Sequence, residues 1–331
     1  MRGDLSEAEW ELVEPHLPLG ERGPIPNLRR HFNAVMWRFR TGSPWRDIPE
    51  RYGPWSTVYG RFQIWVAAGT FQTLMDMMIA EAASRGQVDL SLVSVDSTVS
   101  RAHHHAAGMA VDPELLAELE KAAAEGKGAS RKRGNALPAA AAADAADPER
   151  EERRRIRRRR KARLRAAKLG RSRGGLTTKT HLTAERRCRP LSFEVTEGQA
   201  ADSPHFVPVL KGIKVRQSAG RPRTRPDAVA GDKAYSSRAN RAHLRSRGIK
   251  AVIPEKADQA AHRKKKGNKG GRPVSHDTAL YRDRNTVERA INKIKEWRGL
   301  ATRYDKSPDS YLAGLHLRGA IIWLRSLQPT W

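Results

Sequence analysis

The sequence is poor in cysteine and has no long apolar run. Cys188 is the only cysteine in 331 residues, which excludes an intrachain disulfide and a zinc site built on cysteines. No apolar run approaches the roughly 20 residues that a membrane-spanning helix needs, and the first residues read as a helix rather than as a signal peptide. These absences argue against disulfide-bonded secreted domains and integral membrane proteins, and we expect a cytoplasmic protein.

Acidic residues are scarce beside basic ones. The chain has 36 aspartates and glutamates against 63 lysines and arginines, a formal net charge of +27. Such a field favours a polyanionic partner, DNA or RNA, with an anionic membrane surface as the rival. Residues 150–173 contribute +12 of this charge and leave +15 on the rest of the chain, so the basic character is not confined to one segment. The length suits two or three structural units.

Residues 5–85 carry a helical pattern. Ser6 and Glu9 match a capping box, and two further amphipathic segments are separated by a connection rich in glycine and proline. Helix, short connection and helix are the parts of a helix-turn-helix DNA reader, but a plain three-helix bundle explains the same pattern equally well.

Arginines of this region are candidates for contacts with phosphate groups. They are Arg38, Arg46 and Arg61. The tryptophans of the same region could stack on bases, but we expect them to form the core of a small helical domain.

The hydrophobic period changes near residue 90. Residues 90–105 are short, β-branched and typical of a strand. Residues 108–173 are rich in alanine and then in arginine, which predicts a disordered insertion or a solvated helix whose cations could contact phosphates. From residue 174 strands return and then alternate with helices. This order predicts an α/β protein, α+β in detail, with a mixed sheet flanked by helices.

Two aspartates stand at strand positions. Asp96 lies inside a β-branched run, where burial of a carboxylate costs several kcal/mol unless a metal ion or hydrogen bonds compensate it. Asp232 ends the strand "AVAGD", and ligands of open α/β sheets sit at the C-terminal ends of strands. Each signal alone is weak, because aspartates are common at strand ends and in turns.

The segment "LYRDRNTVERAINKIKEW" is more specific. On one helix, Tyr281, Arg284, Glu288 and Lys295 would fall within roughly 60° of arc, beside an apolar stripe that packs on the sheet. A later start of the helix, after Tyr281, also fits the capping residues. The alternative interpretation is an ordinary amphipathic helix with salt-bridged charges.

Asp96, Asp232 and Glu288 would together supply three carboxylates for metal ions. Such a set can hold two divalent ions ~3.5–4 Å apart, one activating the attacking oxygen and one stabilising the leaving oxygen of a phosphodiester. Hard oxygen ligands favour Mg²⁺, with Mn²⁺ as a substitute, over zinc. Arg284 and Lys295 would then hold phosphate oxygens.

The run His103–His105 raises a second metal-site hypothesis. Adjacent residues of a strand point to opposite faces, which makes one ion shared by three of them difficult. We therefore expect a polar strand end near DNA, with His103 and His105 as candidates for DNA contacts.

Six segments carry a resemblance to a known family, in the same order along the chain. They are "TGSPWRDIPERYGPWSTVYGRFQIW", "VDSTVSRAHHHAAG", "GRSRGGLTTKTHL", "GQAADSP", "GDKAYSSR" and the tyrosine-to-lysine helix that continues into "WRGLATRYDK". The chain resembles bacterial insertion-sequence transposases of the DDE class, most closely the insertion-sequence-five group. Its Y-(2)-R-(3)-E-(6)-K signature is filled at every position. One departure is the segment between the first two catalytic motifs, which is longer than usual for the group.

The resemblance implies a domain organisation. A helical DNA-binding domain would occupy residues 1–85. A ribonuclease-H-like catalytic core would comprise residues 86–107 and 174–331, interrupted by the insertion at 108–173.

The resemblance also implies roles for residues. Asp96, Asp232 and Glu288 would bind the metal ions, and Tyr281, Arg284 and Lys295 would contact DNA near the cut. Lys233 and Arg289, next to two of the carboxylates in sequence, are further candidates for DNA contacts.

The function implied is that of a transposase acting on double-stranded DNA. It would bind the terminal inverted repeats of its element, hydrolyse phosphodiester bonds at the element ends and join the 3′-hydroxyls to target DNA. Two ends must be brought together, so we expect a homodimer or larger assembly on DNA, associated with the nucleoid and with no membrane partner. The alternatives are a sequence-specific DNA-binding repressor without catalysis and a nuclease of the same fold.

Overall fold

The computed structural model describes residues 3–18, 23, 25–108, 113, 114, 117, 121, 148–172, 175–217, 220–274 and 277–327. The longer helices of these ranges are Glu7–Val13 (α1), Leu28–Thr41 (α2), Trp55–Ala67 (α3), Thr70–Ser84 (α4), Pro148–Ala166 (α5), Phe206–Lys211 (α6), Arg238–Ser246 (α7), Ala257–Lys265 (α8), Thr278–Arg282 (α9), Asn285–Lys295 (α10), Arg298–Ala301 (α11) and Pro308–Ser326 (α12). The strands are Val93–Ala102 (β1), Gly170–Ser172 (β2), Gly175–Glu185 (β3), Pro190–Glu197 (β4), Ala228–Gly231 (β5), Lys250–Val252 (β6) and Thr302–Arg303 (β7).

The strands form one mixed sheet with β1 at its centre. β3 pairs with β1 antiparallel on one side, and β5 pairs with it parallel on the other. β2 and β4 pair antiparallel with β3, while β6 continues the parallel half beyond β5. β7 adds a short parallel pairing at the C-terminal end of β1. An antiparallel meander followed by parallel strands is the order expected of a ribonuclease-H-like core, so the predicted mixed α/β fold is confirmed.

The N-terminal helices form where the sequence predicts them. The Ser6 hydroxyl accepts the Glu9 backbone N–H, and the Glu9 carboxylate accepts the Ser6 N–H, which completes the capping box of α1. Two single 3₁₀ turns, Trp45–Asp47 and Glu50–Tyr52, connect α2 to α3. The result is a helix, a short irregular connection and a second helix with one solvent-exposed face.

The N-terminal helices share their hydrophobic core with the sheet. Buried side chains run continuously from α1 through the strands to α12, and α4 packs along α12. The two layers approach closely because α12 has glycine at the contacts. A Cβ on Gly314 would lie 2.3 Å from Cε1 of Phe39, and one on Gly319 would lie 2.6 Å from Sδ of Met75. The predicted boundary near residue 85 therefore does not coincide with a break in the core.

The C-terminal part of the predicted insertion is ordered structure. Within 108–173, residues 148–166 form α5 and residues 170–172 form β2. β2 pairs with Gly175–Thr177 of β3, so the sheet begins earlier than residue 174 and that boundary is corrected. Alanines of α5 are buried because its last turns pack on the core. Residues 109–147, except for four isolated positions, lie outside the described residues.

None of the helices that the structure describes combines the length and the hydropathy needed to cross a membrane.

Candidate active site

The two aspartates lie side by side on neighbouring parallel strands. Val95 of β1 is in register with Gly231 of β5, and each is followed by one of the aspartates. Asp96 accepts the Ser97 backbone N–H at 2.8 Å. Asp232 follows β5 and caps a 3₁₀ turn, accepting the Ala234 N–H at 2.8 Å. The pairing of β1 with β5 thus places both carboxylates side by side, at the C-terminal end of β5.

Helix α10 packs across β1 and presents Glu288 on its exposed side. Val287, Ala290 and Ile294 form its buried face, as the apolar stripe predicts. The Thr286 hydroxyl donates to the Ser94 hydroxyl at 3.0 Å and fixes the helix on the strand two residues before the first aspartate.

Of the two interpretations that the sequence leaves open, one helix carrying all four residues and a later start after Tyr281, the structure has the second. The chain forms α9, breaks at Asp283 and resumes as α10 with Arg284 at its N-cap and no side-chain cap. Tyr281 belongs to the short first helix, where it packs against a small apolar cluster formed by Leu92 and by residues of β5 and β6. This packing, with Asp277 capping α9, separates Tyr281 from the helix that carries Glu288.

Arg284 lies between two of the carboxylates. Its guanidinium donates to Oε1 of Glu288 at 2.7 Å and lies 3.9 Å from Oδ2 of Asp96. The same group stands over the ring of Tyr281, 5.7 Å from its centroid. Lys295, at the other end of α10, donates to the Val99 carbonyl at 3.0 Å, and burial lowers the pKa of its ammonium group. The structure therefore brings the cations onto the face of β1 that carries Asp96.

Burial of Asp96, with a smaller repulsion from the neighbouring carboxylates, marks the site electrostatically. Burial raises the pKa of Asp96. The Ser97 N–H and Arg284 act against this rise, while Asp232 and Glu288 add to it. A cation among these groups would relieve both the burial and the repulsion. The donor set consists of hard carboxylate oxygens, so the residues fit a divalent metal such as Mg²⁺. Arg284 is the cation found there.

A fourth carboxylate, Asp202, supports this site. Its Oδ1 accepts the Ser97 hydroxyl at 2.7 Å and Nζ of Lys179 at 2.9 Å. Since the backbone of Ser97 holds Asp96, Asp202 acts on Asp96 through the residue next to it. The sequence interpretation missed Asp202. Its signal was the "GQAADSP" block, which matches the family but has no strand or helix pattern to place its aspartate.

Tyr235 lies beneath the carboxylates. Its side chain is buried, and its hydroxyl is among the buried polar atoms that make no hydrogen bond of good geometry. Burial raises the pKa of this phenol, and the carboxylates of Asp202, Asp96 and Asp232 raise it further, against a smaller opposite effect of Ser97. A buried donor facing three carboxylates is available to donate to one of them when that group moves or binds a ligand.

The remaining candidates for DNA contacts differ in their surroundings. Lys233, Arg289 and Arg46 are exposed, and Arg61 is half-buried. The expectation for Arg38 is wrong. Its guanidinium is buried and pairs with Asp305 at 2.9 Å, so it ties α2 to the segment after β7 and cannot reach a phosphate.

The histidine run is not part of the strand. β1 ends at Ala102, and residues His104–Gly108 form a 3₁₀ turn. The three imidazole rings consequently gather, with centroids 3.9–4.5 Å apart, instead of alternating between two faces. The argument from strand alternation was therefore wrong for these residues. His104 and His105 are exposed.

Comparison with protein families gives two matches that together cover most of the chain. The family described as "Transposase DDE domain" matches residues 88–323, and the family described as "Putative transposase of IS4/5 family" matches residues 5–75. The first match contains Asp96, Asp232 and Glu288, and the second contains α1 to α3.

Individual relatives are shorter than this chain. An "Uncharacterized protein y4sN" of Sinorhizobium fredii is 36% identical over 107 residues, which are 31% of this chain and 81% of that protein. A "Putative transposase for insertion sequence element IS6501" of Brucella ovis is 30% identical over 150 residues, 45% of this chain and 100% of that protein. The crystal structure of a pre-cleavage Mos1 transpososome has a TM-score of 0.20 and 8% identity, covering 95% of this chain and 82% of that chain, a likeness too low to carry an argument.

Proposed function

Since the chain belongs to the DDE-domain transposase family, we propose that it cuts DNA at the ends of an insertion sequence and joins the freed 3′-hydroxyls to target DNA. The observation that carries this proposal is the placement of Asp96 and Asp232 at adjacent positions of neighbouring strands, with Glu288 on the helix that packs on β1 and β3. Phosphodiester hydrolysis and strand transfer are both in-line displacements at phosphorus, so one site serves both.

Asp96, Asp232 and Glu288 are the residues that would hold the metal ions, Mg²⁺ or Mn²⁺. When bound, divalent ions supply Lewis acidity to the scissile phosphate and lower the pKa of the attacking hydroxyl. The pairing of β1 with β5 positions the carboxylates of Asp96 and Asp232, and the Ser97 N–H, which donates to Asp96, orients the first of them. The raised pKa of Asp96 favours binding of a cation once the carboxylate is ionised.

The cations of the site would bind the DNA backbone. Arg284 now satisfies Glu288, and it becomes available for phosphate oxygens when Glu288 turns to another cation. A guanidinium offers two parallel donors to a phosphate, whereas Lys295 offers a point charge. The ring of Tyr281, which the guanidinium of Arg284 faces, would help to orient that guanidinium. Lys233 and Arg289 are exposed beside Asp232 and Glu288 and would hold the strand on either side of the cut.

The N-terminal helices would recognise the terminal repeats. Helix α3 begins after the short connection and leaves Ser56, Tyr59, Gly60 and Ile64 exposed. Ser56 and Gly60 would permit close approach to base edges in a major groove, and the large exposed side chains of Tyr59 and Ile64 would supply apolar contacts there. Arg46 stacks on Trp55 at the start of this helix and would contact the flanking phosphates. Synapsis of two ends requires at least two protein copies.

The test is cleavage and strand transfer on a labelled duplex carrying the end of the element, with Mg²⁺ or Mn²⁺. Glu288→Gln should bind the end but lose both reactions, by a factor of at least about 10³, because a metal ligand is removed. Glu296→Gln is the matched control, one residue beyond the same helix. Its exposed side chain pairs with Arg318, for which glutamine keeps an acceptor oxygen, so this variant should keep wild-type activity.

Two other outcomes would replace the proposal. Binding of the end by the wild-type protein without cleavage would favour a repressor. Cleavage without joining would favour a nuclease of the same fold.

A further inference from the structure

Helix α5 and the adjoining edge of the sheet form a cationic groove that the catalytic site does not include. We propose that this groove binds the phosphate backbone of duplex DNA without regard to sequence and extends the DNA path from the catalytic carboxylates. This inference rests on the proposed function only in taking DNA as the substrate. The groove that would contact the DNA backbone contains none of the residues proposed as catalytic.

The groove is lined on one side by cations at helical spacing. Its volume is ≈ 680 Å³, and its lining includes Arg153, Arg157, Arg160, Lys161 and Arg165. From the first to the last of these the helix rises ~18 Å, which corresponds to about five base pairs of duplex. The charges therefore repeat over a length that a phosphate backbone can follow.

The helix is fixed to the core at its C-terminal end. Lys168 has φ 51°, and the Leu169 N–H donates to Leu164 O while the Lys168 N–H donates to Arg165 O. These are the two hydrogen bonds of a Schellman motif. Buried Arg303 donates to the Ala167 carbonyl at 2.8 Å. The cations are consequently presented on a supported helix and not on a loose tail.

The far wall of the groove leads to the catalytic site. Glu197 and Gln199 line it, and Arg165 pairs with Glu197 at 3.3 Å. The chain then continues through Ala200, whose carbonyl accepts Nζ of Lys179, to Asp202, which holds Ser97 beside Asp96. On this proposal, a strand bound in the groove continues toward Asp96 past these residues.

The composition of the groove favours a duplex backbone over single strands. Among the residues that the structure describes, its lining has no tyrosine, tryptophan or phenylalanine, whereas proteins that hold single strands stack bases on aromatic rings. Arginine dominates instead, and its fork matches phosphate oxygens. Ile156, 58% exposed at the rim, offers an apolar contact for sugars.

The test measures the salt dependence of binding to a 30-base-pair duplex without an element end. It is carried out in the Glu288→Gln background so that no cutting interferes. The groove variant combines Arg153→Gln, Arg157→Gln and Arg160→Gln. The control combines Arg155→Gln, Arg159→Gln and Arg163→Gln, which removes the same charge from exposed positions of the same helix that do not line the groove.

Each lost phosphate contact should reduce the slope of log K against log salt by about 0.9. We expect a reduction of about 2–3 for the groove variant and of less than about 1 for the control. Equal reductions in the two variants, or none in the groove variant, would overturn the proposal. So would tighter binding of a 30-nucleotide single strand, of DNA or RNA, than of the duplex.

Cleavage of the element end by the wild-type protein, compared with the salt slope of the groove variant, distinguishes failure of this inference from failure of the proposed function. If wild-type protein fails to cut the element end while the groove variant still shows the reduced slope, the proposed function fails and the groove stands. If wild-type protein cuts and the slope is unchanged, the groove fails and the proposed function stands.

Discussion

Asp96 is held by the residue that follows it, and that residue is held in turn by Asp202. The Ser97 N–H bonds Asp96, and the Ser97 hydroxyl bonds Asp202, which Lys179 neutralises. The orientation of a carboxylate that we propose as a metal ligand thus depends on a pair of side chains from β3 and the turn after β4. Partners of this kind commonly affect metal affinity as strongly as some ligands do.

Asp202→Ala should weaken the site without touching the reacting atoms. We expect the Mg²⁺ concentration for half-maximal cleavage to rise, and the rate at fixed Mg²⁺ to fall by about 10–100-fold, because Ser97 loses its acceptor. Asp202→Asn keeps an oxygen for Ser97 and should recover part of the loss. A purely structural role would instead lower thermal stability in both variants and leave the Mg²⁺ dependence unchanged.

What the sequence reveals about single residues depends on the distance to their partners. Asp96, Asp232 and Glu288 could be singled out because each belongs to a local pattern, a strand, a strand end or an amphipathic helix. Arg38 could not be interpreted correctly, since its partner Asp305 is 267 residues away along the chain. Asp202 was missed because its turn has no periodicity, and Tyr235 because burial beneath three carboxylates is a tertiary property.

The elements followed the sequence wherever their pattern was long. β1, β3 and α10 carry clear strand or helix periods, and each formed near its predicted position. A start of α10 after Tyr281 was one of two interpretations that the sequence allowed, but the sequence could not decide between them, because the packing of Tyr281 on Leu92 and on residues of β5 and β6 is a tertiary property. The close packing of α12 on α2 was equally invisible, since it depends on which helix faces Gly314.

Gly314→Ala should destabilise the protein through overpacking. Its Cβ would lie 2.3 Å from the ring of Phe39, a buried side chain that cannot move without displacing other aromatic rings. We expect a loss of about 1–3 kcal/mol in the free energy of unfolding. Gly60→Ala is the control. It lies in α3 with no atom within 4 Å of the added Cβ, and it should stabilise by roughly 0.5–1 kcal/mol. Similar effects of the two substitutions in denaturant titrations would contradict this account.

At the scale of the whole molecule, the helical and catalytic parts are one folded body with an uneven charge. The core passes from α1 and α4 to α12 without interruption. The net charge of +27 is concentrated in part on α5, which stands at the edge of the sheet. DNA recognition and catalysis would therefore be coupled through shared packing and not through a flexible linker.

A fragment that begins at residue 86 should fail to fold cooperatively. Removal of α1 to α4 would expose the apolar side chains of α12 that they cover, and contiguous apolar surface of this kind leads to loose or aggregated states. We expect a broad thermal transition and binding of a hydrophobic dye, against a single sharp transition for the full chain. A sharp transition of the fragment would show that the catalytic half is an independent domain.

Because α4 packs on α12, the core cannot be completed until late in synthesis of the chain. The two helices are separated by more than 220 residues, and a ribosome adding about 5–20 residues per second needs roughly 10–45 s to make that stretch. Throughout this interval the apolar faces of the first helices have no permanent partner. A nascent chain would have to delay its final collapse, or be sheltered by a chaperone, until α12 has been made.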